Sequence, residues 1–289
     1  MESKINYEEA IKNIRTELKN YIVNGNLKSL VLGVSGGIDS TLCALLARPV
    51  CKELNIPLIG RSLPTDSNSG GENSRALEVG KYFFDDFKEV NIHSQFVSLA
   101  YMAYEDKEGH GHPHGTSRAI QNGNVKARIR MIYLYDLASV NNGLVLSTDN
   151  YTEYLLGFWT LHGDVGDYGM VQNLWKTEVY EMTEWIAENE YTISPKAKEA
   201  IRRVLEADAT DGLGISKTDL DQILPGWEGN SRDGYRLVDL RLHTHLSSRV
   251  EDLNDPVIQR YHRTKFKREN PYNIPWHKIM GIDEKIVNK

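Results

Sequence analysis

An apolar run that stops at two glycines and resumes as a helical pattern constrains this chain most. Residues 31–40 read Val-Leu-Gly-Val-Ser-Gly-Gly-Ile-Asp-Ser. The run suits a buried strand, and Gly36 and Gly37 let the backbone turn sharply beside a ligand. The amides at the start of the next helix form a phosphate site, to which Ser35 and Ser40 add hydroxyls. Asp39 can bind a cation.

The spacing distinguishes this turn from two other phosphate loops. No Gly-Lys-Ser/Thr follows the glycines, as a Walker loop requires, and the third glycine of the dinucleotide fingerprint is missing. The alternative is an ordinary tight turn in which Asp39 or Ser40 caps the helix. The strand before the turn and the helix after it favour the phosphate loop.

Composition favours one globular domain. The chain has 289 residues, 40% of them hydrophobic and 26% charged, as is ordinary for such proteins. No apolar stretch approaches the ~20 residues of a membrane span, and the first residues lack a signal peptide's apolar core, so we expect a cytoplasmic protein. A net charge of −6 argues against a nucleic-acid surface. Cys43 and Cys51 lie about two turns apart on one predicted helix, and we expect both to be core residues.

Strand and helix patterns alternate in the first half of the chain. Strands are predicted at 28–34, 57–63, 88–92 and 144–148, and helices at 4–24, 39–54, 72–86, 94–105 and 119–140. This alternation predicts a doubly wound parallel sheet with ligands beyond the carboxyl ends of the strands. A glycine-rich loop at 157–169 then precedes helices at 175–190, 195–207, 216–224 and 253–266, whereas residues 226–248 give no clear pattern.

The segment 106–118 is too rich in glycine for regular structure, and we expect a mobile loop. Its His110, His112 and His114 alternate as a transition-metal site could, but no acid or cysteine accompanies them. A flexible loop without metal is therefore the favoured interpretation.

Two further segments carry candidate binding residues. On the predicted helix, Val125, Ile129 and Ile132 share one face, Arg128 flanks it half sheltered, and Lys126 and Arg130 point away. A sheltered guanidinium suits a phosphate or carboxylate, although an arginine paired with a surface acid is the commoner case.

The second segment is a strand at 144–148 that runs into a polar turn. Thr148 and Asp149 stand at the strand end, and Glu153 lies one helical turn beyond. Asp39 and Glu153 at adjacent strand ends would suffice for the one or two carboxylates that Mg²⁺ takes beside ATP. A first-turn acid that interacts with the helix dipole is the alternative for Glu153.

Together these segments resemble the successive signatures of the ammonia-dependent NAD synthetases, which belong to the ATP pyrophosphatase superfamily. The matching segments, spread over about residues 30–270, are 35–40, 123–131, 147–149 with Glu153, 157–158, 163–164, Lys176, 210–216 and 267–268. The resemblance implies one domain over residues 1–289, with 226–248 as a candidate insertion. It also implies an α/β fold of the adenine nucleotide alpha-hydrolase type, in which helices flank a doubly wound, mostly parallel five-stranded sheet and form the C-terminal part.

The resemblance further implies ATP-dependent amidation of deamido-NAD, through an adenylate, by a homodimer. Free ammonia is the expected nitrogen donor, because the chain has no room for a glutaminase domain. Asp39, Lys176 and Asp164 would be catalytic, and Asp39 and Glu153 would bind Mg²⁺. The substrate would contact Arg128, Asp164, Asp167 and Lys267, and segments 106–118 and 208–216 would be lids. ATP would contact Gly33, Val34, Ser35, Gly36, Gly37, Ile38, Asp39, Ser40, Thr148, Lys176 and Thr210.

Four positions depart from the family pattern. Asn150 and Phe266 stand where histidine is usual, and Leu161 replaces a lysine. Tyr168 occupies the place of an acid, which the adjacent Asp167 could supply. These changes leave nicotinate mononucleotide or another carboxylate open as the substrate. A tRNA-modifying ATP pyrophosphatase and a non-catalytic nucleotide sensor are further alternatives.

Overall fold

Five parallel strands form the centre of the fold, in the order β3-β2-β1-β4-β5. A computed structural model describes residues 5–105, 116–248 and 254–281. The strands are β1 (Ser29–Gly33), β2 (Leu58–Ser62), β3 (Asp86–Glu89), β4 (Gly143–Ser147) and β5 (Tyr168–Gly169). The predicted five-stranded, doubly wound sheet is confirmed. The short β5 lies inside the segment that was predicted to be a loop.

Helices flank the sheet and make up most of the chain after β4. They are α1 (Tyr7–Asn24), α2 (Ile38–Leu54), α3 (Gly70–Phe83), α4 (His93–Glu105), α5 (Thr116–Val140), α6 (Tyr151–Leu156), α7 (Lys176–Asn189), α8 (Pro195–Leu205), α9 (Leu220–Ile223), α10 (Ser231–Ser248), α11 (Pro256–Arg263), α12 (Lys265–Arg268) and α13 (Trp276–Met280). The predicted helical C-terminal part is confirmed.

The two faces of the sheet pack against different helices. Leu30 and Leu32 of β1 lie in a core cluster with residues of α1, α2 and α7, whereas Val31 lies in a second cluster with residues of α4 and α5. This division follows from the two-residue period of a strand. The buried Cys43 and Cys51 belong to the first cluster, as predicted.

A third core cluster lies in the helical C-terminal part of the chain. It joins residues of α6, α9, α10 and α11, among them Leu156, Tyr235 and Leu242. The segment without a sequence pattern, 226–248, thus contains an 18-residue helix whose inner face is buried. Whether 226–248 is an insertion stays a prediction.

No helix within the described ranges is long and apolar enough to span a membrane. His110, His112, His114 and most of the predicted lid at 106–118 lie outside the described residues.

Candidate active site

The glycine turn joins β1 to α2. Gly36 has a φ of +78°, and a Cβ there would lie 2.4 Å from the carbonyl oxygen of Glu72. Gly37 precedes α2 without a side-chain cap. Ser40 Oγ donates to the carbonyl of Gly37, and the carboxylate of Asp39 binds Lys176. Neither side chain caps α2, so the ordinary capped turn is not what forms.

A cavity opens beside this turn at the carboxyl ends of the strands, as the topology predicted. The predicted residues that line it are Gly33, Val34, Ser35, Gly37, Ile38, Asp39, Ser40, Thr148, Glu153, Asp164, Lys176 and Thr210. Gly36 is not part of the lining, since it packs against α3. Acidic and basic residues that the sequence did not single out as ligands also line it, namely Arg61, Glu72, Arg130, Asp149, Asp208, Asp211 and Asp219.

Lys176, the first residue of α7, lies at the centre of the site. Its Nζ is 2.6 Å from Asp39 Oδ2 and 3.0 Å from Glu153 Oε1, and its side chain is 2% exposed. Burial by itself would lower the pKa of Lys176, but the charges of Asp39 and Glu153 outweigh it and raise this pKa well above the ordinary value. The lysine is therefore a permanent buried cation at the strand ends.

Asn150 connects the two carboxylates. Its Nδ2 donates to Asp39 Oδ1 at 2.9 Å, while its Oδ1 accepts the backbone N–H of Glu153 at 3.0 Å. In return Glu153 Oε2 accepts the N–H of Asn150, which completes a capping box at the start of α6. The asparagine in place of the usual histidine thus orients both predicted metal ligands.

Several acids in the cavity are hard to ionise. Burial is the largest cause, and it raises the pKa of Asp164 to about 6, of Glu153 to about 7 and of Asp219 to about 8. The pKa of the buried Asp149 is also raised well above its ordinary value. Asp219 Oδ2 accepts from the hydroxyl of Tyr235 at 3.2 Å, whereas Oδ1 has no hydrogen-bond partner in the described part of the chain.

The predicted orientation of α5 was wrong in part, since Val125 and Ile129 do pack in the core but the other side chains lie differently. Arg128 is exposed, Ile132 is 65% exposed, and Lys126 and Arg130 face inward. Polar partners on the loop after β2 bind these long side chains. Lys126 Nζ lies 3.2 Å from Asp66, and Arg130 donates to the carbonyl of Leu63 and to Asn68.

Three of the predicted substrate ligands are not among the residues that line the cavity. Arg128 Nε donates to the carbonyl of Leu161 at 3.2 Å. Asp167 accepts from the Tyr135 hydroxyl at 2.9 Å and from the backbone N–H of Val145 at 3.1 Å, so both of its carboxylate oxygens have partners within the protein. Lys267 Nζ donates to the carbonyls of Gly157 and Trp159. Their substrate contacts stay predictions.

The predicted lid at 208–216 touches the α5 cations. Lys126 Nζ lies 3.4 Å from the carbonyl oxygen of Leu213, and Arg130 Nη2 lies 3.4 Å from that of Gly212. Ser67, from the loop after β2, donates to the same Gly212 carbonyl at 2.9 Å. Two loops and α5 therefore meet at one edge of the cavity.

A comparison with known proteins identifies related sequences. The NAD synthase family model matches residues 10–271. The NH(3)-dependent NAD(+) synthetase of Campylobacter jejuni subsp. jejuni serotype O:2 is 30% identical over 80% of this chain and 87% of its own length. That of Methanococcoides burtonii is 32% identical over 85% of this chain and 86% of its own.

A solved structure shares the fold. The NMN synthetase from Francisella tularensis superposes with a TM-score of 0.73, covering 94% of this chain and 100% of its own. At 22% sequence identity, this likeness shows the fold alone.

Proposed function

Because this chain belongs to the NAD synthase family and is thus a ligase of NAD synthesis, we propose that it amidates deamido-NAD with ammonia. One observation carries the proposal. The Nζ of Lys176 lies between Asp39, which follows the glycine turn, and Glu153, which follows β4. A cation and two carboxylates beside uncapped helix amides are suited to a magnesium-bound polyphosphate.

In the proposed first step, a nicotinate carboxylate oxygen attacks the α-phosphorus of ATP. A C–O–P linkage forms and the bond to the pyrophosphate breaks. The amides of the glycine turn and the ammonium of Lys176 stabilise the negative charge on the departing pyrophosphate. In the second step ammonia attacks the acyl carbon, AMP leaves with the bonding electron pair, and the nitrogen loses a proton.

The residues present fit magnesium. Each of Asp39 and Glu153 directs one carboxylate oxygen to Lys176 and the other to Asn150, and oxygen atoms are the ligands that Mg²⁺ prefers. Among the residues that the structure describes, no three His, Cys, Asp or Glu side chains form a metal site. A two-carboxylate site that phosphates complete is consistent with that finding. When bound, the ion would neutralise phosphate charge.

Nicotinate mononucleotide is a second candidate substrate. Leu161 brings no charge where the family pattern has a lysine, and the Nζ of Lys267 already binds two carbonyls. Both features weaken recognition of the larger dinucleotide. The structural neighbour named an NMN synthetase adds weight to this candidate. Membership of the NAD synthase family weighs against the tRNA-modifying alternative.

We also propose a homodimer that meets through α5 and its surroundings. Ile132 and Val140 on α5 are 65% and 74% exposed, and Tyr101 and Met102 on α4 are 63% and 62% exposed. Exposed apolar side chains of this number on two packed helices suit an interface between copies. Light scattering after size-exclusion chromatography measures the mass of the particle in solution. A monomer at micromolar concentration would contradict the proposal.

The substrate assay tests the reaction. The protein is incubated with ATP, magnesium and ammonium, with deamido-NAD or nicotinate mononucleotide offered separately, and products are identified by mass. The proposal expects NAD, AMP and pyrophosphate from deamido-NAD. Amide product from the mononucleotide alone supports the second candidate, and ADP instead of AMP contradicts both. Lys176→Ala is expected to abolish ATP–pyrophosphate exchange while the circular dichroism spectrum stays that of the wild type.

A further inference from the structure

Helix α10 reaches the segment that carries Lys176 at two points. Tyr235 is fully buried and Asp239 is 7% exposed. The two are four residues apart, so both lie on the same face of α10. This face belongs to the stretch in which the sequence shows no recognisable motif.

Tyr235 contacts the charged end of the lysine. The Nζ of Lys176 lies 5.1 Å from the centre of the Tyr235 ring, within the range of a cation–π contact. The hydroxyl of Tyr235 donates to Asp219 Oδ2 at 3.2 Å, which fixes the ring. An ammonium has three N–H groups, and two of them point to Asp39 and Glu153. The ring thus adds a contact that does not depend on those two carboxylates.

Asp239 fixes the backbone end of the same residue. It accepts from the N–H and the hydroxyl of Thr177 at 2.9 and 2.8 Å, and from the hydroxyl of Thr152 at 2.5 Å. The Thr152 oxygen in turn accepts the backbone N–H of Lys176 at 2.9 Å. A carboxylate at the first turn of α7 also interacts favourably with the helix dipole. Both of the first two N–H groups of α7 are therefore restrained.

We propose that Tyr235 and Asp239 are positioning residues that fix Lys176 for its contact with the ATP phosphates, one at the ammonium and one at the backbone. The inference rests on the proposed role of Lys176. A lysine side chain has four rotatable carbon–carbon bonds to order, and a misplacement of 1 Å can slow a reaction about 10²-fold. Two contacts from one rigid helix remove that freedom before the nucleotide arrives.

ATP–pyrophosphate exchange by the full-length protein distinguishes the contribution of the Tyr235 ring from that of the Tyr235 hydroxyl. Tyr235→Leu removes the ring, and we expect kcat for exchange to fall roughly 30-fold, the change that about 2 kcal/mol of a desolvated cation–π contact corresponds to. Tyr235→Phe keeps the ring and should stay within about threefold of the wild type. Equal losses in the two variants would overturn the role of the ring.

Leu242→Ala is the matched control, because Leu242 lies fully buried on the same helix in the same core cluster. It should lower the unfolding temperature while the folded enzyme keeps its exchange rate. If Leu242→Ala slows exchange as much as Tyr235→Leu does, the effect is a general one on α10 and the proposal fails.

Asp239→Asn tests the other contact and stands in for Tyr235→Leu if that variant does not fold. We expect about a tenfold loss of kcat, because the amide retains one of the two accepting oxygens. We also expect acetic anhydride to acetylate Lys176 faster than in the wild type, as measured by peptide mass spectrometry. Unchanged acetylation in both Asp239→Asn and Tyr235→Leu would overturn the positioning role. A wild-type protein without exchange would instead contradict the proposed function, and the acetylation rates would still decide this inference.

Discussion

Asp219→Asn is expected to make the folded protein more stable at alkaline pH. The carboxyl is 5% exposed and its Oδ1 has no partner in the described ranges. Burial raises its pKa from 3.8 to about 8. Between these values the folded chain binds a proton that the unfolded chain has released. The stability that this neutral acid contributes is complete below about pH 4 and is lost as the pH rises through 8.

The magnitude follows from the displacement of this pKa. The pKa is displaced by about four pH units, and each unit corresponds to ~1.4 kcal/mol. The free energy of unfolding of the wild type is therefore lower at pH 8 than at pH 4 by at most about 6 kcal/mol on account of Asp219. Asparagine resembles the neutral acid in shape and can still accept from the Tyr235 hydroxyl. The variant should therefore match the wild type near pH 4 and gain up to about 1.4 kcal/mol per pH unit above that.

Urea unfolding of the ligand-free protein at pH 5, 6, 7 and 8 measures this difference. Asp233→Asn, at an exposed carboxylate on α10, is the control and should follow the slope of the wild type. A constant difference between Asp219→Asn and the wild type across these pH values would refute the reasoning. It would mean that Asp219 is ionised throughout.

Three other predictions concern the turn, the cavity edge and the metal ligands. Gly36→Ala should lower the free energy of unfolding by about 2 kcal/mol or more and abolish the thermal shift with ATP, because the added Cβ meets the α3 backbone. Gly70→Ala is the control and should have neither effect, because the space around Gly70 is open. Arg130→Met should speed hydrogen exchange in residues 210–214, whereas Arg128→Met should leave it unchanged. MgATP affinity by calorimetry should fall as the pH drops below about 7, where Glu153 takes up a proton; equal affinity at pH 6 and 8 would contradict this.

Local patterns in the sequence were enough to predict the elements that form the front of the site. The strand, the glycine turn and the start of α2 follow one another within ten residues, and Gly36 has the positive φ that a glycine there allows. Asp39 and Glu153 follow neighbouring parallel strands, so topology alone brings them to one edge. The turn could be predicted because it depends on a short stretch of chain, and the meeting of the two acids because a parallel sheet brings its carboxyl ends to one edge.

The face of α5 could not be read in the same way. Periodicity placed Ile132 inward and Arg130 outward, whereas the structure has the reverse. Apolar periodicity indicates the core only when the polar face meets water. Here Arg130 donates to carbonyls and to Asn68 on distant loops instead of to water. No local sequence pattern indicates these partners.

The contacts from α10 were missed for a related reason. Tyr235 and Asp239 lie about sixty residues along the chain from Lys176, and each looks like an ordinary member of an amphipathic helix. Asp219 was missed because a single acid before a short helix reads as a cap, although its side chain caps nothing. Their importance arises from burial beside a cation, which the sequence does not show.

The charges around the cavity explain why the site needs support from so many elements. Among the described residues, eight acidic side chains line the cavity, against three basic ones, Arg61, Arg130 and Lys176; the acidic ones are Asp39, Glu72, Asp149, Glu153, Asp164, Asp208, Asp211 and Asp219. Like charges at close range are unfavourable in a low-dielectric site, and the pKa values of carboxyl groups rise in response. A polyphosphate would add charge of the same sign, whereas its magnesium complex adds less. Magnesium and ATP together should therefore raise the unfolding temperature by more than ATP with a chelator does, because the cation relieves a repulsion that the free protein otherwise meets by keeping protons on its acids.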